Sequence, residues 1–382
     1  MFNKLVQLED FSNKKKNKKI IKILNSLKTR YNSDQLFKSL TPKYNYSFKK
    51  KILNKFKKEK IFKIIGMGGS ILGAEAIYNF LKCKKQFYFI NNLQYFNKYL
   101  EKKKSTNIII SKSGNTLETI SNVNLYLKKK DKNLIITEKK NNYLFNLAKK
   151  LKCEIIEHNN FIGGRYSVLS EVGMVPAMLM GFNEKKFKQF NYLIKNKIFE
   201  KKIVQSVSDL IELNKKKQNS VILNYDENSD NFFKWYQQLV AESLGKKSKG
   251  IFPIISTMPK DNHSLMQYFL DGPKQNFYTF FSLDEKRSIK LNNENLLLNQ
   301  KKLYKRSVNQ IINAQKNATK KVFLNKKIPF RSFTVFERSE KVLGYLFSFF
   351  ILETILLGKA LNINPFDQPS VELIKTETKK LF

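Results

Sequence analysis

Short apolar, β-branched runs recur along this chain, and each leads into a polar or glycine-rich turn and then a helical stretch. Phe62–Gly66 runs into Gly66-Met67-Gly68-Gly69-Ser70 and a predicted helix from Gly73 to Leu81. Phe87–Ile90, Asn107–Ser111, Leu134–Thr137 and Cys153–Glu157 continue the series, with a predicted helix over Leu117–Lys128. Short runs alternating with helices in this way are strands of a parallel sheet covered on both faces. The pattern restarts downstream. Val221–Asn224, Ile251–Ser256, Phe277–Leu283 and Phe333–Glu337 read as strands, Phe232–Leu244 and Ser339–Leu361 as helices. The chain therefore reads as α/β, with two tandem doubly wound parallel-sheet domains flanked by helices and a C-terminal helical tail. The expected divisions are an N-terminal helical segment over 1–55, domains over 56–190 and 191–340, and C-terminal helices over 341–382 that complete the site. In such folds ligands bind at the carboxyl ends of the strands, so the loops that follow strands hold the chemistry.

The formal charge of +41 raises the question of nucleic acid, but only six of the 72 basic residues are Arg. The lysines are scattered over the whole chain, and arginine, whose fork reads phosphates and bases, is scarce. A solvated basic surface that favours small anionic substrates, with no nucleic-acid partner, is the expectation. Val342–Gly358 is strongly apolar but only about one membrane span long by the usual ~18–20-residue measure. It also carries Gly344, Ser348 and Glu353. It reads as a buried core helix, so no membrane is expected. The opening residues lack an apolar run long enough for a signal peptide, and Cys83 and Cys153 stand in no CxxC or Cys/His spacing. Reduced thiols, no metal and a cytoplasmic location follow.

Several loops carry candidate chemistry. Gly66–Ser70 lets a backbone approach a ligand at a helix N-terminus, although an ordinary structural turn has the same residues. Ser111-Lys112-Ser113-Gly114-Asn115-Thr116 brings three hydroxyls and a glycine to the start of a helix, a phosphate cradle that needs no Walker lysine. The plainer reading is a capped helix start. Gly163-Gly164-Arg165-Tyr166-Ser167 places one of the few arginines between two glycines and an apolar helix over Val172–Leu179. Gln238 and Glu242 lie four apart on one helix face. His263, in Asp261-Asn262-His263-Ser264, is one of only two histidines, the residue type suited to a proton shuttle, whereas His158 reads as structural. A helix starting at Pro369 puts Gln368 and Lys375, two turns apart, on one side.

Taken in order, GGS, SKSGNT, GGRYSVLS, QQLVAES, DNHS and NPFDQPSVELIK resemble the motifs of the glucose-6-phosphate isomerase (phosphoglucose isomerase) family, whose corresponding segments read SKSGTT, GGRFSVLS and NPFDQPGVE. The resemblance runs from about Ile64 to the C-terminus and is close to the shorter bacterial members. It implies two sugar-isomerase (SIS) domains. It also implies interconversion of glucose 6-phosphate and fructose 6-phosphate in glycolysis and gluconeogenesis, through a cis-enediolate and with no cofactor. Carried over by motif, Ser111, Lys112, Ser113 and Thr116 bind the sugar phosphate, and Gly69 and Ser70 contact the substrate. His263 with Lys375 opens the pyranose ring, Glu242 moves the proton between C2 and C1, Arg165 stabilises the enediolate, and Gln238 and Gln368 line the site. The family's histidine comes from the neighbouring subunit, so a homodimer is implied. Asn115 departs from the family pattern, standing where a hydroxyl residue is usual. Rival readings are an isomerase that also accepts mannose 6-phosphate, an amino-sugar isomerase, a non-catalytic sugar-phosphate sensor and a basic nucleic-acid binder.

Overall fold

The computed structural model describes residues 4–9, 11, 17–93, 97–128, 131–285 and 288–381. Strand β1 (Val6–Glu9) opens it, so the 1–55 segment is not helical throughout. Val6 and Leu8 are buried and alternate with Gln7 and Glu9, a period of two too brief to stand out in a Lys/Asn-rich stretch. The helix Lys18–Arg30 follows, capped by the Asn17 side chain, with Ile20, Leu24 and Leu27 on its buried face.

The first sheet contains β2 (Ile61–Gly66), β3 (Gln86–Ile90), β4 (Thr106–Ile110), β5 (Lys132–Thr137) and β6 (Glu154–Glu157). Their spatial order is β3-β2-β4-β5-β6, and every pairing is parallel. All five β4 residues are buried, as a strand covered on both faces requires. The second sheet contains β7 (Asn219–Asn224), β8 (Phe252–Thr257), β9 (Asn276–Leu283) and β10 (Phe330–Val335), again parallel, in the order β1-β10-β9-β7-β8. Among the described strands β1 alone breaks the pattern, pairing antiparallel with β10 at the edge. Both sheets have the winding in which the chain leaves a central strand, goes to one side and returns to the other. The topological switch points lie between β2 and β4 and between β7 and β9, where a crevice opens at the carboxyl ends.

The apolar helix is Glu340–Ala360, and Val342 to Gly358 are buried without interruption. It is long and apolar enough to cross a membrane, but 94% of its apolar window lies inside the protein. Its one interior carboxylate is matched. Glu353 Oε2 accepts from Arg331 Nη2 at 3.1 Å, and Glu353 Oε1 accepts from Ser206 Oγ at 2.7 Å. The helix Asp230–Leu244 lies between this core helix and Leu72–Phe80, the helix that follows the first glycine loop. Trp235 packs edge-on to Phe347 at 4.7 Å between ring centroids. The Glu242 helix is thus clamped against both sheets' helices with its carboxyl end near the first switch point.

Candidate active site

The loops after β2 and β4 flank the first switch point, and the sequence marks both. Gly69 presses against the Arg165 loop so closely that a Cβ there would stand 2.2 Å from the Gly164 carbonyl carbon. Only glycine permits that approach of two backbones. On the far side of the crevice Gly114 adopts φ +69°, and a Cβ would meet Asn142 Oδ1 at 1.9 Å. Ser111 Oγ and Thr116 Oγ1 share a proton at 2.9 Å, and Ser111 Oγ also accepts from Gly114 N at 3.2 Å. Ser113 Oγ accepts from Asn115 N at 3.3 Å. Thr116 occupies the N-cap of the helix Leu117–Tyr126 without making a side-chain cap bond. The amides of its first turn have no intrahelical acceptor, which is the setting in which a phosphate binds. Lys112 Nζ turns to the Asn160 carbonyl at 2.7 Å, and loss of solvent around it lowers its pKa below the usual lysine range. Asn115 Oδ1 accepts from Tyr143 N at 2.9 Å, so the residue that departs from the family pattern anchors the next helix, Tyr143–Leu151.

Arg165 lies in the turn Gly164–Leu169, closed by Ser167 Oγ donating to Gly164 O at 2.7 Å. Its side chain is only 2% exposed, and the guanidinium is held by four hydrogen bonds and one ion pair. Nε donates to Ser243 Oγ at 2.7 Å, and Nη2 to the Pro365 and Asp367 carbonyls at 2.7 and 3.0 Å. Nη1 donates to Gln368 Oε1 at 2.5 Å and pairs with Glu242 Oε1 at 3.2 Å. Glu242 keeps 21% of its side chain exposed, and its other oxygen accepts from Gln238 Nε2 at 3.0 Å. Gln238 Oε1 is buried with no partner. Gln368 is the N-cap residue of the helix Pro369–Lys380. Lys246 Nζ holds the preceding loop through Asn364 O and Asp367 Oδ1, at 2.5 and 2.6 Å.

The chain thus brings together Arg165, Glu242, Gln238 and Gln368, with Gly69 backed against the Arg165 loop. Ser70 closes the β2 loop, and Ser111, Ser113 and Thr116 are gathered around the β4 loop. It does not join His263 to Lys375. His263 is exposed, at the end of a turn after β8 that Asp261 shapes by accepting from Thr257 N at 2.8 Å. Lys375 is exposed on its helix and pairs with Glu372 at 2.7 Å. Among the described residues no group of three or more His, Cys, Asp or Glu side chains could hold a metal ion. A cavity of about 710 Å³ lies elsewhere, at the second switch point, lined by Asp226, Glu285 and Arg338 among others. There Arg338 Nη2 pairs with Asp226 Oδ1 at 2.6 Å, so the guanidinium is already engaged.

Two residues of the cluster were not singled out in the sequence. Ser243 and Tyr166 each follow a marked residue directly, and that adjacency was the available signal. Tyr166 donates to Pro365 O at 2.9 Å and lies 2.8 Å from Ser243 Oγ. Burial raises its phenol above its usual range, so it stays protonated.

A family model described as phosphoglucose isomerase matches residues 54–251. A glucose-6-phosphate isomerase of Methanocaldococcus jannaschii is 33% identical over 344 residues, covering 83% of this chain and 82% of that one. Among solved structures, a hypothetical protein of Thermus thermophilus superposes with a TM-score of 0.83 at 21% identity, covering 94% of each chain. A glucose-6-phosphate isomerase of Chlamydia trachomatis superposes at 0.67 with 19% identity, over 92% of this chain and 73% of that one.

Proposed function

From the premise that this chain belongs to the phosphoglucose isomerase family, we propose that Glu242 is its single base, with Arg165 holding the charge that the base creates. The enzyme interconverts glucose 6-phosphate and fructose 6-phosphate, an aldose–ketose isomerisation that serves glycolysis and gluconeogenesis. The proposal concerns which residues do this and how. The observation that carries it is the pairing of a half-buried carboxylate with a fully buried guanidinium beside the first switch point.

In the aldose-to-ketose direction Glu242 takes the proton from C2. The C–H electrons form the C1–C2 double bond, and O1 becomes negative. The carboxyl group then returns the proton to C1, O2 becomes the carbonyl, and its proton passes to O1. One carboxylate serves both carbons because they are adjacent. Nε and Nη2 are committed to Ser243 and to the Pro365 and Asp367 carbonyls in the free enzyme, so the oxyanion is met by Nη1, which it takes from Glu242 or Gln368. As Glu242 is protonated it loses the charge that held Nη1, while the oxygen gains one. Arg165 therefore binds the intermediate more strongly than the substrate, which is what acceleration requires.

The Ser111, Lys112, Ser113 and Thr116 loop holds the phosphate at the helix N-terminus, with Gly69 and Ser70 against the sugar and Gln238 and Gln368 on its hydroxyls. Ring opening falls to His263 and Lys375, with His263 supplied by the second subunit of a homodimer. Two features support a dimer. His263 is exposed, and the Pro369–Lys380 helix buries no residue while showing Leu373 and Ile374 at 68% and 71% exposure. A lone helix of this length is marginal in water, so a partner that covers it is needed. The same reading divides the chain near 55, 190 and 340. It places the enzyme in the cytoplasm, in keeping with its free Cys83 and Cys153.

The test is the Glu242→Gln variant. Removing a general base costs about 10²–10⁴-fold in kcat, while sugar-phosphate binding should persist, since the phosphate loop is untouched. Parent-like turnover in the variant would defeat the assignment.

A further inference from the structure

We infer that Ser243 and Tyr166 are positioning residues that fix the Arg165 guanidinium with its Nη1 edge turned to the reacting carbons. The inference rests on the reading above that Arg165 carries the enediolate charge.

Counting protons determines the direction of every bond. Tyr166 has one hydroxyl proton and two oxygen neighbours, the Pro365 carbonyl at 2.9 Å and Ser243 Oγ at 2.8 Å. A carbonyl can only accept. Were Tyr166 to donate to Ser243, its oxygen would face the Pro365 oxygen with no proton between them. Tyr166 therefore donates to Pro365, and Ser243 donates to Tyr166. Ser243 Oγ in turn accepts from Arg165 Nε at 2.7 Å, while Arg165 Nη2 reaches the same Pro365 carbonyl at 2.7 Å. The bonds close a ring, from Arg165 through Ser243 and Tyr166 to Pro365 and back to Arg165. Each donor in it polarises the next. Ser243 is fully buried and Tyr166 is 1% exposed, so water offers no substitute partner.

The ring holds the Nε and Nη2 edge of a planar group. That leaves Nη1 as the nitrogen whose partners, Glu242 and Gln368, are side chains able to let go. Without the Ser243 hydroxyl, Nε loses its acceptor and the plane can turn about the side-chain axis. Such a change acts on charge that develops during reaction and leaves ground-state binding alone, so it falls on kcat and spares KM.

The experiment measures kcat and KM per folded enzyme for Ser243→Ala, Tyr166→Phe, their double variant and Arg165→Lys, well below each melting temperature. Displacement of a catalytic group by about 1 Å costs on the order of 10²-fold. Ser243→Ala should therefore lose about 10- to 100-fold in kcat with KM within about twofold. Tyr166→Phe, which removes one oxygen, should lose about three- to tenfold in kcat. The double variant should be no slower than Ser243→Ala alone, because both substitutions break one chain. Parent-like kcat in Ser243→Ala, or a loss confined to KM, overturns the inference, as does a double variant whose losses multiply. If Ser243→Ala fails to fold, Tyr166→Phe with unchanged kcat overturns it equally. Full activity in Arg165→Lys would instead remove the reading beneath it. Collapse of Arg165→Lys beside an unaffected Ser243→Ala leaves that reading standing and removes the positioning role alone.

Discussion

Alanine at Gly69 should cripple turnover while leaving the chain folded. The added Cβ would lie 2.2 Å from the Gly164 carbonyl carbon, 2.4 Å from its oxygen and 2.6 Å from Arg165 N, whereas ordinary contact begins at 3.4 Å. All three atoms are backbone, so no side chain can swing aside and the two loops must part by roughly 1.2 Å. Overpacking of this kind costs about 1–3 kcal/mol, within the ~5–15 kcal/mol that holds a typical domain together. The same parting moves the Arg165 loop away from the β2 loop proposed to contact the sugar, and a misplacement of about 1 Å is worth on the order of 10²-fold in rate. The assay is kcat for fructose 6-phosphate formation per folded enzyme, with a thermal melt of the same sample. Gly163→Ala is the control. There a Cβ meets only the Tyr166 ring at 3.6 Å and φ is −66°, so activity should hold within about twofold. If Gly69→Ala turns over like the parent, the contact between the loops does not position Arg165 and the reasoning fails.

Gly114→Ala should act on the other side of the crevice. Its φ of +69° and the 1.9 Å approach to Asn142 Oδ1 force the β4 loop, the proposed phosphate site, to distort, so KM for the sugar phosphate should rise about tenfold or more while the response to unphosphorylated sugar is unchanged. Breaking the buried pair with Glu353→Gln should lower unfolding stability by about 3–5 kcal/mol in a denaturant titration, because it strands the Arg331 charge. His158 is buried, and desolvation depresses its pKa to about 4 against an ordinary 6.5. The unfolded chain thus binds the proton first, and the stability present above pH 6.5 drains away as pH falls, until none remains below about 4. Through this residue the protein should be about 2 kcal/mol less stable at pH 5 than at pH 7. A His158→Asn variant should flatten that slope in paired denaturation curves.

Where apolar runs are long relative to their surroundings, the sequence was enough. NIIIS and the run around Val342–Gly358 could only be buried, and they became β4 and the core helix. Gly-rich and hydroxyl-rich turns after strands marked both loops at the first switch point, because a ligand crevice needs glycines and donors at those ends. What escaped notice depends on contacts distant in sequence. Four residues of alternation in β1 reveal nothing until β10, more than 300 residues on, supplies the partner edge. The backbone carbonyls of Pro365 and Asp367, which saturate Arg165 Nη2, bear no signature in any side chain. Asn115 stood out only as a departure from the family pattern, yet it accepts from the first amide of the neighbouring helix, a role visible only once Tyr143 is beside it. His263 and Lys375 are legible as motif members, but one chain leaves both on its surface.

The measurement closest to the central claim is to convert fructose 6-phosphate in deuterium oxide and follow the C1 and C2 hydrogens by NMR, with the parent and Glu242→Gln side by side. The account predicts deuterium at C2 of the glucose 6-phosphate formed, since an exchangeable carboxyl group carries the proton, and turnover and C1 exchange both slowed about 10²–10⁴-fold in a variant that still binds substrate. Complete retention of the original hydrogen in the parent's product, or exchange in Glu242→Gln at the parent's rate, would contradict it.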